Sequence, residues 1–228
     1  MDGKAKKTAG MALKYIILII LAILWVVPII TLVFTAVKSK GDFFSGMSLF
    51  QMPENIAWDN FTNAMTKGRL FQYMKNDLII CCLKVPLGIF VEAMAAFAIT
   101  RLTLKKPTAW FTFFLIGMML PMQVALVPIS IIYNKLNLTN TYFGLFYVYI
   151  GFGISNGILI MHGFFKGIPR DLDEAAYIDG ASKWRSFINI IFPVAKPAVA
   201  TLLITYFLAC WNEYLLATVI INEIKLKT

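Results

Sequence analysis

Five apolar runs, each about twenty residues long, constrain this chain more than any other feature: Tyr15 to Val37, Leu78 to Thr100, Trp110 to Tyr133, Tyr142 to Phe164 and Pro197 to Ile220. A hydrocarbon core of about 30 Å takes about 20 apolar residues to cross as a helix, which satisfies its own backbone polar groups. Barrel strands would be about half that length and would alternate in polarity. The runs therefore predict an all-α, polytopic membrane helix bundle. Composition agrees: 59% of the 228 residues are hydrophobic and 14% are charged, against roughly 45 to 50% and 25% in soluble domains. The first run follows Lys4, Lys6, Lys7 and Lys14 as the core of a signal peptide would, but it is too long and no small-x-small cleavage site precedes Lys38. It reads as a retained anchor behind a polar tail, residues 1–14, with the remaining domain at 15–228.

Between the fourth and fifth runs lies a polar island, residues 165–196. From Ile168, the string IPRDLDEAAYIDG places Pro169 at a helix start, Asp171, Asp173 and Glu174 near the positive end of its dipole, and Gly180 at its stop. Ser182 is suited to cap a second helix in which Trp184, Phe187, Ile188 and Ile191 share one face, with Pro193 as its expected end. The prediction is helix, glycine turn, helix.

Glu174, Ala175, Ala176, Asp179, Gly180, Ala181, Phe192 and Pro193 together resemble the EAA loop in the membrane subunits of binding-protein-dependent ABC importers. PENIAWDNF (Pro53 to Phe61), MLPMQVALVPI (Met119 to Ile129), the IDGAS run (Ile178 to Ser182) and WNEY (Trp211 to Tyr214) extend the resemblance to the maltose-type carbohydrate permeases over nearly the whole chain. The resemblance implies a type I transmembrane domain. It also implies a second, related permease, two ATPase subunits that bind ATP and Mg, and an extracytoplasmic solute-binding protein that delivers a carbohydrate. No cofactor is implied on this chain. By resemblance, the loop is a coupling helix seated in a groove of the ATPase, with Asp173 and Glu174 on its acidic turn, Glu174 the candidate for a contact with a basic group, and Gly180 the turn that lets it seat. The family pattern has six spans, so a chain reaching Thr228 in the polar run NEIKLKT is expected to lack the sixth.

Charge sets the expected orientation. If the five spans alternate, Lys4 to Lys14, Arg101, Lys105, Lys106, Lys166, Arg170, Lys183, Arg185 and Lys196 all fall on one side, which the positive-inside rule makes cytoplasmic. The segment between the first two spans balances its basic residues with Asp42, Glu54, Asp59 and Asp77, and falls outside. The formal charge of +9 is thus a topology signal rather than a nucleic-acid footprint.

Charges within spans are costly and mark function or protein contact. Lys84 and Glu92 lie in the second run and Glu213 near the outer end of the fifth. Eight residues apart on a helix, Lys84 and Glu92 project within about 80° of each other but about 12 Å apart along the axis. They are expected to face a partner subunit or the translocation path, with snorkelling an open alternative for Lys84. Glu213 and Asn212, flanked by Trp211 and Tyr214, are candidates for the outer part of that path, although an interfacial aromatic belt accounts for the two rings equally well. Gly153 and Gly157 form a G-x-x-x-G that permits close helix approach. Pro28, Pro86, Pro121 and Pro128 interrupt other runs.

Enzyme chemistry is not visible. Cys81, Cys82 and Cys210 lack metal-ligand spacing and read as small core residues, and His162 as an interfacial histidine. No G-x-x-x-x-G-K-[ST] phosphate loop occurs. Two other functions fit a membrane chain: a secondary transporter using Lys84, Glu92 or Glu213 as an ion relay, or a non-transporting scaffold. Inverted repeats would support the first, and none is evident. Amino acid, phosphate and polyamine importers share the EAA loop, leaving a non-sugar solute as an alternative.

Overall fold

The computed structural model describes residues 2–228, with side chains described from Gly10 onward. The side chains of Lys4, Lys6 and Lys7 lie outside the described residues. No strand occurs among the described residues. Two compact units form, Met1–Leu70 and Phe71–Thr228.

The first unit is dominated by α1 (Asp2–Ala36), whose span-length stretch Gly10–Ala36 contains Pro28. After it, Ser39 and Asp42 form a reciprocal capping box on α2 (Lys40–Phe44), so two donors that the short helix would leave free are satisfied. The Asp42 carboxyl is held below the usual carboxylate range by hydrogen bonds from the Ser39 side chain and backbone. α3 (Asp59–Thr66) supplies Asn60, whose amide donates to the carbonyls of Ala36 (2.9 Å) and Lys38 (2.8 Å) and fixes the exit from α1.

The second unit holds α4 (Leu70–Arg101), α5 (Pro107–Ile116), α6 (Met122–Lys135) and α7 (Tyr142–Gly167). The shorter α8 (Asp171–Ile178), α9 (Lys183–Ser186) and α10 (Phe192–Val194) lead into α11 (Lys196–Trp211) and α12 (Leu215–Ile220). Three helices are long and apolar enough to cross a membrane, and two further pairs would do so only as bent spans. This departs from five continuous spans. The expected third run breaks at Leu120–Pro121, where α5 and α6 meet at 94°, because Pro121 has no N–H to extend the ladder and its ring disfavours a helical residue before it. The expected fifth run is helical only to Trp211, and α12 follows after a turn. Pro86 and Pro128 remain inside helices.

Two apolar clusters hold the unit together. One packs Ile89, Ala93 and Phe97 of α4 against Met161 and Phe165 of α7 and Leu202 of α11. The other joins Ile80 and Cys81 of α4 to Leu145 and Val148 of α7 and to Leu216 and Ile220 of α12. Cys81 and Cys210 are buried as expected, whereas Cys82 is exposed. Adjacent helical positions differ by about 100°, so burial of Cys81 leaves Cys82 turned toward the surface.

Candidate functional site

The acidic first turn of α8, with Asp171, Asp173 and Glu174, complements the helix N-terminus. At its other end Gly180 adopts φ +75°. The Gly180 N–H donates to the Tyr177 carbonyl (3.0 Å) and the Ala181 N–H to that of Ala176 (2.9 Å), the paired bonds of a Schellman stop. Ser182 then caps α9, its hydroxyl accepting from the Arg185 N–H at 3.2 Å. Helix, left-handed glycine and capped helix follow as the residue types require.

Beyond Ser186 the backbone departs from expectation. Phe187–Ile191 form a π-helical turn, in which the Phe192 N–H donates to the Phe187 carbonyl, and Pro193 continues the helix through Val194 instead of ending it. A proline in a regular α-helix clashes with the carbonyl four residues back, and the wider π turn moves that carbonyl aside. The chain turns at Ala195, by 74° into α11. Phe187 and Ile191 are fully buried, Ile188 is half-buried, and Trp184 remains 57% exposed, so the buried face starts at Phe187. Phe187 enters an aromatic group with Phe90 and Phe97 of α4, at centroid distances of 5.9 and 5.0 Å.

On the outer surface Glu174 is exposed beside Tyr177 and Ile178, which are 73% and 82% exposed. These positions at i, i+3 and i+4 share one helix face. Ala175 and Asp179 are exposed too, Ala176 is buried, and Ala181 and Pro193 are half-buried. Asp173, at the edge of this face one turn before Tyr177, pairs with Arg101 at the end of α4 (2.6 Å). Arg101 entered the sequence reading only as a topology marker; that a buried partner awaited it is a fact of packing.

The second group lies between α4, α7 and α11. Lys84 and Glu92 are 5% and 0% exposed. Rather than facing a partner subunit or snorkelling, both pack into the glycine groove of this chain's own α7. A Cβ at Gly153 would stand 3.3 Å from Lys84 Nζ and 3.5 Å from Glu92 Oε1, and one at Gly157 would overlap the Glu92 carboxyl group. The G-x-x-x-G motif therefore makes room for two ionic side chains. Lys84 Nζ also sits 3.9 Å above the Tyr206 ring, a cation–π contact, while the Tyr206 hydroxyl donates to the Gly153 carbonyl at 2.9 Å. Neither carboxylate oxygen of Glu92 has a hydrogen-bond partner among the described residues. Opposite charge close by and the absence of direct pairing together leave this site polar but not neutralised bond by bond.

Lys84 and Glu213 line a cavity of about 380 Å³ with Tyr149, Asn156, Thr205 and Tyr206. Glu213 is also structural: its Oε1 accepts from the Leu216 N–H (2.8 Å), and its Oε2 from the Ala217 N–H (3.0 Å) and the Tyr149 hydroxyl (2.7 Å), capping α12. Asn212 is exposed outside this lining, its amide donating to the Leu208 carbonyl. Tyr149 and Tyr206 were not singled out from sequence, and Gly157 only as half of a close-packing motif; a tyrosine within an apolar run, opposite a glycine pair, is the signal that could have found the two rings. His162 stacks on Phe111 at 3.9 Å.

A family model described as binding-protein-dependent transport system inner membrane component matches residues 84–227. The chain is 32% identical over 210-odd residues to a multiple sugar-binding transport system permease protein of Streptococcus mutans, covering 92% of this chain and 76% of that protein. It is 30% identical to a diacetylchitobiose uptake system permease protein of Streptomyces coelicolor, covering 90% and 67%. With a maltodextrin transport system permease protein of Streptococcus pneumoniae the identity is 29%, covering 96% and 78%. In fold, the chain is similar to one in the crystal structure of a bacterial ABC transporter involved in the import of the acidic polysaccharide alginate, with a TM-score of 0.83, 21% identity, and coverage of 97% and 77%.

Proposed function

We infer the function from one premise: the chain belongs to the family of binding-protein-dependent transport system inner membrane components. It is a membrane-spanning permease subunit of a carbohydrate ABC importer. ATP is bound and hydrolysed with Mg on two separate ATPase subunits, a second permease completes the pathway, and an extracytoplasmic binding protein delivers the sugar. The N-terminus and residues 165–196 are cytoplasmic, in keeping with the basic short loops.

The loop couples the ATPases to the membrane helices. The observation that supports this is the exposed face of Glu174, Tyr177 and Ile178, two large side chains beside a carboxylate on a helix stopped by a left-handed glycine. A groove on an ATPase subunit would bury the two side chains and pair the carboxylate. Within the membrane, the cavity lined by Lys84, Tyr149, Asn156, Tyr206 and Glu213 is this subunit's part of the path, since aromatic faces and hydrogen-bonding groups suit a polyhydroxyl solute. Glu92 supports Lys84 from behind it.

The test is copurification. Tagged full-length protein extracted from its own cells in mild detergent should bring an ATPase, a second permease and a solute-binding protein, identified by mass spectrometry. Ile178→Asp and Glu174→Lys should insert normally and lose the ATPase. A chain recovered alone, or ATPase recovery unchanged in both variants, overturns the reading.

A further inference from the structure

We propose that Arg101 is a positioning residue for transport: a latch that ties the coupling helix α8 to the inner ends of α4 and α7, so that displacement of α8 moves both long helices as one. The proposal rests on the reading of α8 as the coupling helix. Arg101 is the last residue of α4, and its side chain is only 4% exposed. One terminal nitrogen donates to Asp173 Oδ2 at 2.6 Å; the other donates to the carbonyls of Phe165 and of Ile168, the latter at 2.6 Å. Phe165 lies in the last turn of α7, its carbonyl also accepting from the Ile168 N–H, and Ile168 lies just past it; at this helix end the last carbonyls have no i+4 donor and the dipole favours a cation. Three elements thus converge on one planar, rigid group.

The geometry excludes a lysine equivalent. An ammonium is a single point, whereas the guanidinium reaches a carboxylate and two carbonyls in fixed directions. Asp173 extends the joint to the next helix, because the buried Ser186 hydroxyl donates to its Oδ1 at 3.4 Å. Arg101–Asp173 is the one ion pair among the described residues, and it borders the surface that Glu174, Tyr177 and Ile178 form on the same helix. Load taken on the outer face of α8 passes through Asp173 into α4 and α7, and these two helices carry Lys84, Glu92, Gly153 and Gly157.

Hydrogen–deuterium exchange on the copurified complex in nanodiscs, nucleotide-free and trapped with ADP and vanadate, tests the latch without a transport substrate. In wild type, trapping should change protection in residues 171–194 and at the inner ends of α4 and α7. In Arg101→Gln and Arg101→Lys the change at 171–194 should persist while that at α4 and α7 falls by about tenfold, within the range for residues along a coupling network. Asp173→Asn, which spares both carbonyl contacts, should do the same for α4 and α7 with unaltered ATPase recovery and melting. Wild-type transmission to α4 and α7 in Arg101→Gln, or in Asp173→Asn, overturns the latch. Absence of any nucleotide-dependent change at 171–194 in wild type would instead overturn the coupling role itself.

Discussion

Substitution of Gly157 by alanine is a sharp test of how the membrane charges are accommodated. The added methyl would overlap the Glu92 carboxyl group and stand 2.6 Å from the Tyr206 hydroxyl oxygen, about 1 Å inside ordinary van der Waals contact. Glu92 is 0% exposed and does not line the cavity beside Lys84, so its carboxyl group has little room to yield. Overpacking of this kind costs about 1–3 kcal/mol. Alanine returns about 1 kcal/mol of helix propensity, but displacing Glu92 also takes compensating charge away from Lys84. The expected net loss is about 1–3 kcal/mol, which for a chain of this size lowers Tm by about 2–10 °C. Fluorescence-detected unfolding in detergent would measure it. Gly151→Ala is the control, because nothing lies within 4 Å of its Cβ position, and it should be neutral or stabilising. Glu92→Asp, with a shorter side chain, should restore part of the loss when combined with Gly157→Ala. A Gly157→Ala protein as stable as Gly151→Ala would refute the arrangement of Glu92 in the glycine groove.

Lys84→Met and Glu92→Gln should each destabilise by about 2–4 kcal/mol, because each leaves the other charge buried and uncompensated. The double variant should cost at least about 1 kcal/mol less than the sum, and strict additivity in the unfolding cycle would show that the two charges do not interact. Glu213→Ala should remove the cap of α12 and the acceptor of Tyr149 at a cost of about 1–3 kcal/mol, with Tyr149→Phe showing a smaller loss; an unchanged Tm for Glu213→Ala would leave the cavity lining as its sole role. Gly180→Pro should abolish uptake while the protein remains inserted, since proline can neither adopt φ +75° nor donate to Tyr177. Gly180→Asn tolerates the left-handed region and should retain most uptake; normal uptake of sugar by cells carrying Gly180→Pro would remove Gly180 from the coupling turn.

Local chemistry made parts of the candidate site legible in advance. Acidic residues in the first turn of α8, the left-handed Gly180 and the Ser182 cap depend on a few neighbours along the chain, and each stands where its residue type requires. Pro193 was misjudged because its cost in a regular helix depends on backbone width, and the π turn at Phe187–Ile191 changes that width. Lys84 and Glu92 were visible as charges in an apolar run, but the surfaces they met were not. Their partners, Gly153, Gly157 and Tyr206, lie about 60 to 120 residues away in sequence, a separation across which periodicity carries no register information.

The sequence by itself determined that this chain is helical and membrane-embedded, because apolar length and backbone hydrogen bonding leave few other solutions. It also determined where the polar loop starts and turns, since caps and glycine stops are settled within one or two helical turns. Only tertiary structure decided that the third run bends and the fifth is interrupted after Trp211, that the G-x-x-x-G groove receives a lysine and a glutamate, that Glu213 is held as a helix cap, and that Arg101 gathers three elements at Asp173. Those outcomes depend on which side chains meet across helices, and a buried charge is tolerated only where distant residues supply its room and its partners.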